Sequence, residues 1–377
     1  MTMTMENFFN NKINGLSEGA AGWRSSDIAA SGQWRRPLTN GEKEGLLEGL
    51  AKYERSGVSL LASTGEDFPF QGVESLIADV RWEVANGTGF ILLKNFPIEG
   101  LSVEQIEALY WGFCNHLGVM RPQGKDSGLL KSVRNAGGNY RAQSGRGYNT
   151  NAKLDYHTDF ADLVALLCIN AAKQGGESLV TSSVALRDEL AKRDPAMVDA
   201  LFSPVDYSRQ DEHADHQTPF YSAPIFSQSE GYFCCRYTRN HIRYADRHEG
   251  ATAPSDLQQR AMDELDALAA NTAFTYEMTL EPGDLQILNN HTVLHSRREF
   301  IDVDEPGRQR HLLRAWIATP DSQPLDSALE EAYFDHRPGA VRGGILGQCF
   351  DADKLRYTQR AAAYHGMSSE GFLNACS

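Results

Sequence analysis

The chain has 377 residues, of which 41% are hydrophobic, and it carries a formal net charge of −14. This length allows a substantial hydrophobic core, in one large domain or in two smaller ones. The negative charge disfavours binding along a nucleic-acid backbone or on an anionic membrane. No apolar run reaches the roughly 20 residues of a membrane span, and the opening residues lack the basic and apolar regions of a secretory signal.

The six cysteines are scattered through the chain without the Cys-x-x-Cys spacing of a thiolate zinc site. Reduced thiols and a cytoplasmic location are therefore the simplest interpretation. The expected partner is a small molecule rather than a nucleic acid or a membrane, and association into homo-oligomers stays open.

The predicted elements begin after a polar N-terminal segment, residues 1–40, which we expect to be irregular. Helical spacing follows at Glu42–Leu61 and Val73–Val84. An apolar run over Gly87–Pro97, entered through glycines and ended by proline, predicts a buried strand. A serine then stands in position to cap a helix over Val103–Leu117.

From about residue 129 the sequence changes to short runs with strand character, separated by Gly, Asn and Pro. These runs are Leu129–Asn135, Asp155–Ala171, Glu177–Ser182, Gly231–Thr238, Ala273–Thr279, Asp284–Leu288 and Arg310–Ala318. Helical segments interrupt them at Val184–Arg193, Ala196–Phe202 and Ser255–Ala270. Many short strands joined by turns are typical of a sandwich or barrel.

We therefore predict a mostly β protein with flanking helices and a double-stranded β-helix (jelly-roll) core at about residues 87–320. One domain is expected to cover residues 41–377, with a helical tail over 326–377 that packs on the outside of the barrel.

His157, Asp159 and the distant His295 are the most informative residues. Alternate residues of an extended segment point to the same side, so His157 and Asp159 can reach one ion if they lie at a strand end. Two imidazoles and one carboxylate can hold a metal on one face and leave the opposite positions open. The set predicts a non-haem Fe(II) site that also binds O₂ and a co-substrate.

Each half of this set has a competitor in the sequence. His213 and Asp215 form a second His-x-Asp pair, but no apolar framework surrounds them, so a charged lid or surface loop is the preferred interpretation. His291 lies four residues before His295 and could take its place; we favour His295, which falls in the next predicted strand.

Arg310 and Arg314 lie four residues apart on the last predicted strand and therefore point to the same side. A buried guanidinium needs an anionic partner, and it grips a carboxylate through two parallel hydrogen bonds. A salt bridge within the protein would also satisfy them; beside the histidines, a bound organic acid is preferred.

The chain resembles the taurine dioxygenase-like (clavaminate synthase-like) branch of the Fe(II)/2-oxoglutarate-dependent oxygenases. The resemblance rests on the blocks Gly87–Pro97, Tyr156–Asp159, Gly175–Ser183, Pro282–Asp284, Asn290–Arg297 and Arg310–Trp316, which follow the family's order over residues 75–320.

The resemblance implies that His157, Asp159 and His295 bind iron, and that Arg310 with Thr181 holds the distal carboxylate of 2-oxoglutarate. It implies that Arg314 faces the acidic group of the primary substrate or supports the co-substrate, and the two arginine roles could be exchanged. Arg134, Tyr148 and Asn149 are further candidates to line the entrance.

The expected reaction is oxidation, by default hydroxylation, of a C–H bond in a small anionic substrate such as an amino acid, a sulfonate or another organic acid. Two alternatives are kept. A cupin-type metalloenzyme would share the barrel and the histidines without using 2-oxoglutarate, and a non-catalytic barrel would act only as a binding protein.

Overall fold

The computed structural model describes residues 21–142, 145 and 147–376. Its strands, numbered in chain order, are β1 Arg35–Pro37, β2 Phe90–Lys94, β3 Val119–Arg121, β4 Leu130–Val133, β5 Leu163–Asn170, β6 Gln174–Gly175, β7 Ser178–Ser182, β8 Pro204–Ser208, β9 Phe220–Pro224, β10 Phe226–Ser229, β11 Tyr232–Cys235, β12 Thr275–Met278, β13 Leu285–Asn289, β14 Val293–Arg297, β15 Phe300–Ile301 and β16 His311–Ala318.

The α-helices of the same residues are α1 Ser25–Ala30, α2 Asn40–Ser56, α3 Glu74–Asn86, α4 Val103–Leu117, α5 Ser183–Arg193, α6 Pro195–Phe202, α7 Arg239–Arg243, α8 Asp256–Ala269, α9 Glu330–Tyr333, α10 Ala352–His365 and α11 Glu370–Ala375. Short 3-10 turns lie at Leu60–Ala62, Gly65–Asp67, Gly147–Asn149, Ala245–Arg247 and Ser327–Leu329. None of these helices is long and apolar enough to cross a membrane.

Two sheets carry the parts of the chain that matter for function. The larger has seven strands in the order β1-β2-β13-β5-β16-β3, with β4 also paired to β16. The smaller has the order β12-β7-β14. Apart from the parallel pair β1–β2, neighbouring strands in both sheets are antiparallel.

The two faces of the larger sheet have different neighbours. Side chains alternate along a strand, so Ile91 and Leu93 of β2 join one buried cluster with helices α2, α3, α4 and α10. Phe90 and Leu92 of the same strand join a second cluster, shared with the smaller sheet. Both faces are therefore covered, and the second cluster is the one that surrounds the cavity described below.

Several predicted helices agree closely with the structure. Helix α4 has the bounds that the sequence predicted. Its cap is also confirmed, because the Ser102 hydroxyl accepts a hydrogen bond from the Gln105 amide at 3.2 Å while the Gln105 side chain accepts one from the Ser102 amide. All six cysteines are free, in agreement with the expectation of reduced thiols.

The expectation of an irregular segment up to residue 40 is wrong for its second half, while residues 1–20 lie outside the described residues. Helix α1 and strand β1 form there, anchored by two buried tryptophans. The indole of Trp23 donates to the Thr88 carbonyl at 2.7 Å, and that of Trp34 to the Ile28 carbonyl at 3.0 Å. The Trp23 contact joins residues 65 positions apart, and such a contact can order elements that are too short to show periodicity in the sequence.

Two further segments are more structured or less regular than predicted. The charged loop around His213 and Asp215 is present at residues 209–219, but it joins β8 and β9 of a hairpin in which Tyr207 is fully buried. The tail beyond residue 326 is only partly helical, because residues 334–351 join α9 to α10 without regular structure. Part of this connection is buried against β3, where the Ile345 amide donates to the Pro122 carbonyl at 2.7 Å.

Candidate metal centre and cavity

The three residues of the predicted metal site lie together. One potential ligand atom of each lies within 4.8 Å of the others. Asp159 Oδ2 is 3.7 Å from His295 Nε2, and Asp159 Oδ1 is 4.0 Å from His157 Nε2. Two imidazole nitrogens and a carboxylate at these separations match the facial ligand set of a non-haem iron site.

The backbone holds the two histidines against each other. The His157 amide donates to the His295 carbonyl at 3.0 Å, and the His295 amide donates back at 2.9 Å. His295 lies inside β14, as predicted. His157 and Asp159 precede β5, which begins only at Leu163, so the expected strand end is wrong at this point. The segment makes isolated bridges to Thr238 and His295 instead.

Hydrogen bonds also orient the ligand side chains. His157 Nδ1 lies 2.9 Å from the Asp155 carbonyl oxygen, which leaves Nε2 free to face Asp159. The Asp159 amide donates to Asn290 Oδ1 at 3.0 Å. Asn290 is fully buried, and its position follows directly from the β13–β14 turn.

The electrostatics favour a divalent cation. Burial opposes ionisation of Asp159, but the charge of Arg314, followed by His295 and His157, lowers the pKa of its carboxyl group. Burial, reinforced by His157, lowers the pKa of His295 to about 3. At neutral pH Asp159 is therefore an anion and His295 a neutral imidazole, the forms in which these groups bind metal.

The donor set fits an iron ion on a further observation. Asp159 Oδ2 is buried without a hydrogen-bond donor among the described residues, although a buried carboxylate oxygen normally has one. A metal ion held between Asp159, His157 and His295 would satisfy this oxygen.

The metal cluster opens into a cavity of about 140 Å³ with a largely apolar and aromatic wall. Four arginines line it: Arg236, Arg297, Arg310 and Arg314. Such a concentration of guanidinium groups in an acidic protein indicates an anionic ligand.

Arg310 lies deep in the cavity and is only 5% exposed. Its Nη1 has no hydrogen-bond partner among the described residues, while Nη2 is 3.5 Å from the Gly176 carbonyl oxygen. Burial lowers the pKa of Arg310, and burial followed by the charge of Arg310 lowers the pKa of Arg297 to about 9. The charged forms of two buried, neighbouring arginines repel each other, and a carboxylate bound between them would stabilise both charges.

Thr181, the predicted helper of Arg310, does not line the cavity. Its hydroxyl donates to the Phe274 carbonyl at 3.2 Å. Cross-strand register explains the error: Ser178 pairs with Arg297 and Val180 with His295, so Thr181 lies on the opposite face of β7. The β7 residue that lines the cavity is Ser178, three residues earlier, whose hydroxyl donates to Gln286 Oε1 at 2.8 Å.

Arg314 reaches the metal cluster itself. Its Nη1 is 3.4 Å from Asp159 Oδ1, its Nε donates to Gln123 Oε1 at 2.8 Å, and its guanidinium lies 4.7 Å from the Trp316 ring centroid. Arg310 and Arg314 thus occupy different positions, one remote from the ligands and one beside them.

Of the three entrance candidates, the structure brings only Tyr148 to the cavity wall. Arg134 lies against His311, with Nη2 3.0 Å from His311 Nε2. The backbone carbonyl of Asn149 accepts from the amides of Ala136 and Gly138, both at 2.9 Å. Arg134 and Asn149 therefore support the loops around the entrance and do not line it.

The alternative ligands lie apart from the metal cluster. His291 Nε2 is 2.9 Å from Asp162 Oδ1, and its Nδ1 is 3.3 Å from Cys234 Sγ. Burial opposes protonation, but Cys234 and the Asp162 hydrogen bond raise the pKa of His291 to about 9. His213 is half-buried and Asp215 is exposed, in agreement with the surface-loop interpretation.

Other residues on the cavity wall escaped prediction from the sequence. Glu212, which precedes the predicted surface-loop pair His213 and Asp215, is buried on the wall at 6% exposure. The other such residues are Tyr140, Arg236, Arg297 and Ser178. Only Ser178 and Arg297 carried a usable signal, because both occupy positions in phase with His295 on paired strands.

Comparisons with known proteins agree with this site. Residues 56–316 match the family described as taurine catabolism dioxygenase TauD, TfdA family. FR-33289 synthase of Streptomyces rubellomurinus is 27% identical over 82% of this chain and 93% of that protein. A uridine-5'-phosphate dioxygenase of Amycolatopsis is 28% identical over 46% of this chain and 63% of its own length.

Solved structures share the fold. Asparagine oxygenase, in complex with Fe(II), 3-hydroxyasparagine and succinate, gives a TM-score of 0.59 at 21% identity, over 76% of this chain and 94% of that one. The non-haem iron oxygenase OrfP, in complex with Fe and α-ketoglutaric acid, gives a TM-score of 0.57 at 16% identity, over 75% of this chain and 94% of that one.

The chain belongs to the TauD/TfdA family of dioxygenases. It is therefore an enzyme of the Fe(II)/2-oxoglutarate-dependent oxygenase class, whose cofactor is iron and whose co-substrates are 2-oxoglutarate and O₂.

Proposed function

We propose that the protein oxidises, by hydroxylation, an unactivated C–H bond of a small anionic substrate. The observation that carries the proposal is the arrangement of one cavity: the His157–Asp159–His295 cluster, the unpaired Nη1 of Arg310 and the guanidinium of Arg314 all line it. Iron and 2-oxoglutarate, when bound, supply the oxidation, with release of succinate and CO₂.

The chain's own residues divide the binding work. His157, Asp159 and His295 would hold the iron. Arg310 would receive the distal carboxylate of 2-oxoglutarate through its free Nη1. The Ser178 hydroxyl on the same wall would turn from Gln286 Oε1 to this carboxylate and take the role first expected of Thr181. The aromatic and aliphatic wall excludes water, which strengthens each of these charge-assisted contacts.

Arg314 is the proposed contact for the acidic group of the primary substrate. Its place beside Asp159 would set that group close to the metal, and Gln123 and Trp316 restrain it from two sides. Fixed orientation of the reacting bond supports the reaction. Tyr148 and Glu212 complete the wall on this side of the cavity.

Amino acids are the first substrates to test, because the solved relatives hold hydroxyasparagine and hydroxyarginine. Phosphate esters come next, since one relative is a uridine-5'-phosphate dioxygenase. We also propose the double-stranded β-helix as the common description of the two sheets, supported by the fold similarity to asparagine oxygenase.

The experiment is a screen for succinate release with Fe(II), 2-oxoglutarate, ascorbate and a panel of amino acids, sulfonates, phosphonates and phosphate esters. Product mass should increase by one oxygen for the true substrate. Arg314→Ala should raise the KM of that substrate and uncouple succinate release from product formation, while the KM of the co-substrate changes little. A larger effect on the co-substrate than that of Arg310→Ala would exchange the two roles.

A further inference from the structure

One buried guanidinium on the cavity wall is left without a role by the assignments above. Arg236 is 1% exposed. Among the described residues no carboxylate forms an ion pair with its guanidinium, and its Nε has no hydrogen-bond partner. An uncompensated buried charge is costly, so an arginine here needs a function that an apolar side chain could not serve.

The guanidinium of Arg236 sits in an aromatic cage. Its centre lies 4.3 Å from the ring centroid of Phe160 and 5.3 Å from that of Tyr207, while Nη2 donates to the Tyr221 hydroxyl at 2.9 Å. Cation–π contact and this hydrogen bond offset part of the desolvation cost. The cage also holds the plane of the guanidinium in one orientation.

The remaining contacts of Arg236 go to the peptide between two metal ligands. Its Nη1 lies 3.3 Å from the Thr158 carbonyl oxygen and donates to Thr238 Oγ1 at 2.7 Å; the Thr238 hydroxyl in turn donates to the same Thr158 carbonyl at 3.2 Å. Thr158 joins His157 to Asp159. A change in the backbone angles of Thr158 would therefore turn the two ligand side chains relative to each other.

Among the described residues, the Thr158 carbonyl accepts hydrogen bonds only from Arg236 and Thr238. The His157–Asp159 segment belongs to no strand. It is also held by the reciprocal bonds with His295, by the bond from the Thr158 amide to the Tyr237 carbonyl at 2.8 Å and by the bond from the Asp159 amide to Asn290 Oδ1 at 3.0 Å. His295, by contrast, lies within the β7–β14 ladder. The first two ligands therefore depend on side-chain contacts in a way that the third does not.

We infer that Arg236 is a positioning residue of the metal centre: it fixes the Thr158 peptide and thereby the directions of His157 and Asp159. The inference rests on the metal site of the proposed function. It requires no contact between Arg236 and the substrate or the co-substrate.

The sign of the effect on metal affinity separates this role from two others. If the guanidinium acts only through its charge, its removal should tighten the binding of a cation, because a nearby positive charge repels the metal. If it only stabilises the fold, metal affinity should not change. A positioning role predicts weaker binding, and loss of groups that orient ligands typically reduces metal affinity about 10- to 100-fold.

The experiment measures the dissociation constant of Mn(II), without 2-oxoglutarate, from the electron paramagnetic resonance signal of the free ion. Arg236→Met should weaken Mn(II) binding about 10- to 100-fold. The Mn(II) dissociation constant of Arg236→Lys should lie between those of Arg236→Met and the wild type. An ammonium can donate to the Thr158 carbonyl, but it cannot reproduce the planar, two-pronged contact of a guanidinium.

Arg121 offers a matched control elsewhere in the fold. It is also fully buried, lies 3.8 Å from the Phe372 ring centroid, and donates from Nε to the Gly343 carbonyl, but it does not line the cavity. Arg121→Met should lower the free energy of unfolding of the metal-free protein and keep the Mn(II) dissociation constant within about twofold of the wild type, well below the 10-fold lower limit for orienting groups.

Thr238→Val provides a milder variant if Arg236→Met does not fold. It removes the hydroxyl that links Arg236 to the Thr158 carbonyl, and it should weaken Mn(II) binding in the same direction. Unchanged or tighter Mn(II) binding in the folded Arg236 variants, or in Thr238→Val if those do not fold, overturns the inference. Failure of the wild-type protein to bind Mn(II) would instead overturn the metal site itself, and this inference with it.

Discussion

The ligands of the metal centre come from two kinds of backbone. His295 lies in the middle of β14, where regular pairing with β7 fixes its direction. His157 and Asp159 lie in a segment without regular pairing, oriented by Asn290, by the Asp155 carbonyl and by the contacts around Thr158. Backbone hydrogen bonds between paired strands persist when neighbouring side chains are changed, whereas hydrogen bonds made by side chains are lost with them. Substitutions around the first two ligands should therefore affect metal binding more than equivalent substitutions around the third.

The largest effect is expected from the ligands themselves. His157→Ala, Asp159→Ala and His295→Ala should each abolish turnover, because each removes one of three protein ligands, while the fold is retained since no core volume is lost. Succinate release and metal content check the loss of the site, and circular dichroism checks the fold. His291→Ala is the matched control for His295→Ala; loss of iron in that variant, with iron retained in His295→Ala, would contradict the ligand assignment.

A smaller effect is expected at the far end of the cavity, where the co-substrate 2-oxoglutarate is proposed to bind. Arg310→Ala should raise the KM of the co-substrate roughly ten- to a hundredfold, because charge-assisted hydrogen bonds contribute about 1.5–3 kcal/mol. Arg310→Lys should recover only part of the loss.

Thr181 and Ser178 test the same end of the cavity. Thr181→Val should leave the KM of the co-substrate unchanged, since its hydroxyl faces the Phe274 carbonyl, whereas Ser178→Ala should raise it. The reverse result would restore the role that the family resemblance implied for Thr181.

Asn290 sharpens the comparison between the two kinds of backbone. Asn290→Ala removes the acceptor of the Asp159 amide and should weaken Mn(II) binding about tenfold. The comparable change beside the third ligand is Leu294→Ala, which removes core volume but leaves the β14 ladder intact. If this variant weakens Mn(II) as strongly as Asn290→Ala, the distinction between the two kinds of backbone is wrong.

The smallest effect on activity is expected from His291, which changes the pH dependence of stability instead. The pKa of His291 in the folded protein is about 9, above the roughly 6.5 of an unfolded histidine. Its contribution to stability is then fully present below about pH 6.5 and is lost as the pH rises through about 9.

Urea unfolding of the wild type and of His291→Gln, from pH 6 to pH 9.5, should show a difference in unfolding free energy that shrinks as pH rises. A constant difference would mean that His291 is neutral throughout in its contact with Asp162.

Local signals in the sequence were sufficient where one pattern decides the structure. The capping serine at Ser102 and the following apolar spacing predicted helix α4 to the residue. The His157, Asp159 and His295 cluster was predicted because the residue types themselves define the chemistry.

The errors arose where the position of a residue depends on which face of a strand it occupies, or on a contact with a residue that is distant in the chain. Thr181 and Ser178 lie on one strand, and only the pairing with β14 shows which of them faces the cavity. Arg134 is directed to His311 by the β4–β16 pairing. Helix α1 and strand β1 depend on tryptophan contacts to residues that are distant in the chain, such as the Trp23 bond to Thr88.

The reciprocal backbone bonds between His157 and His295 have a thermodynamic consequence. Bringing two distant points of a chain together costs loop-closure entropy. In this protein the two histidines are brought together when the chain folds, before any ion binds. The free energy of metal binding should therefore contain no contribution from this loss of entropy. The empty and loaded proteins should superimpose at these two residues, and a chelator should strip the ion without unfolding the chain.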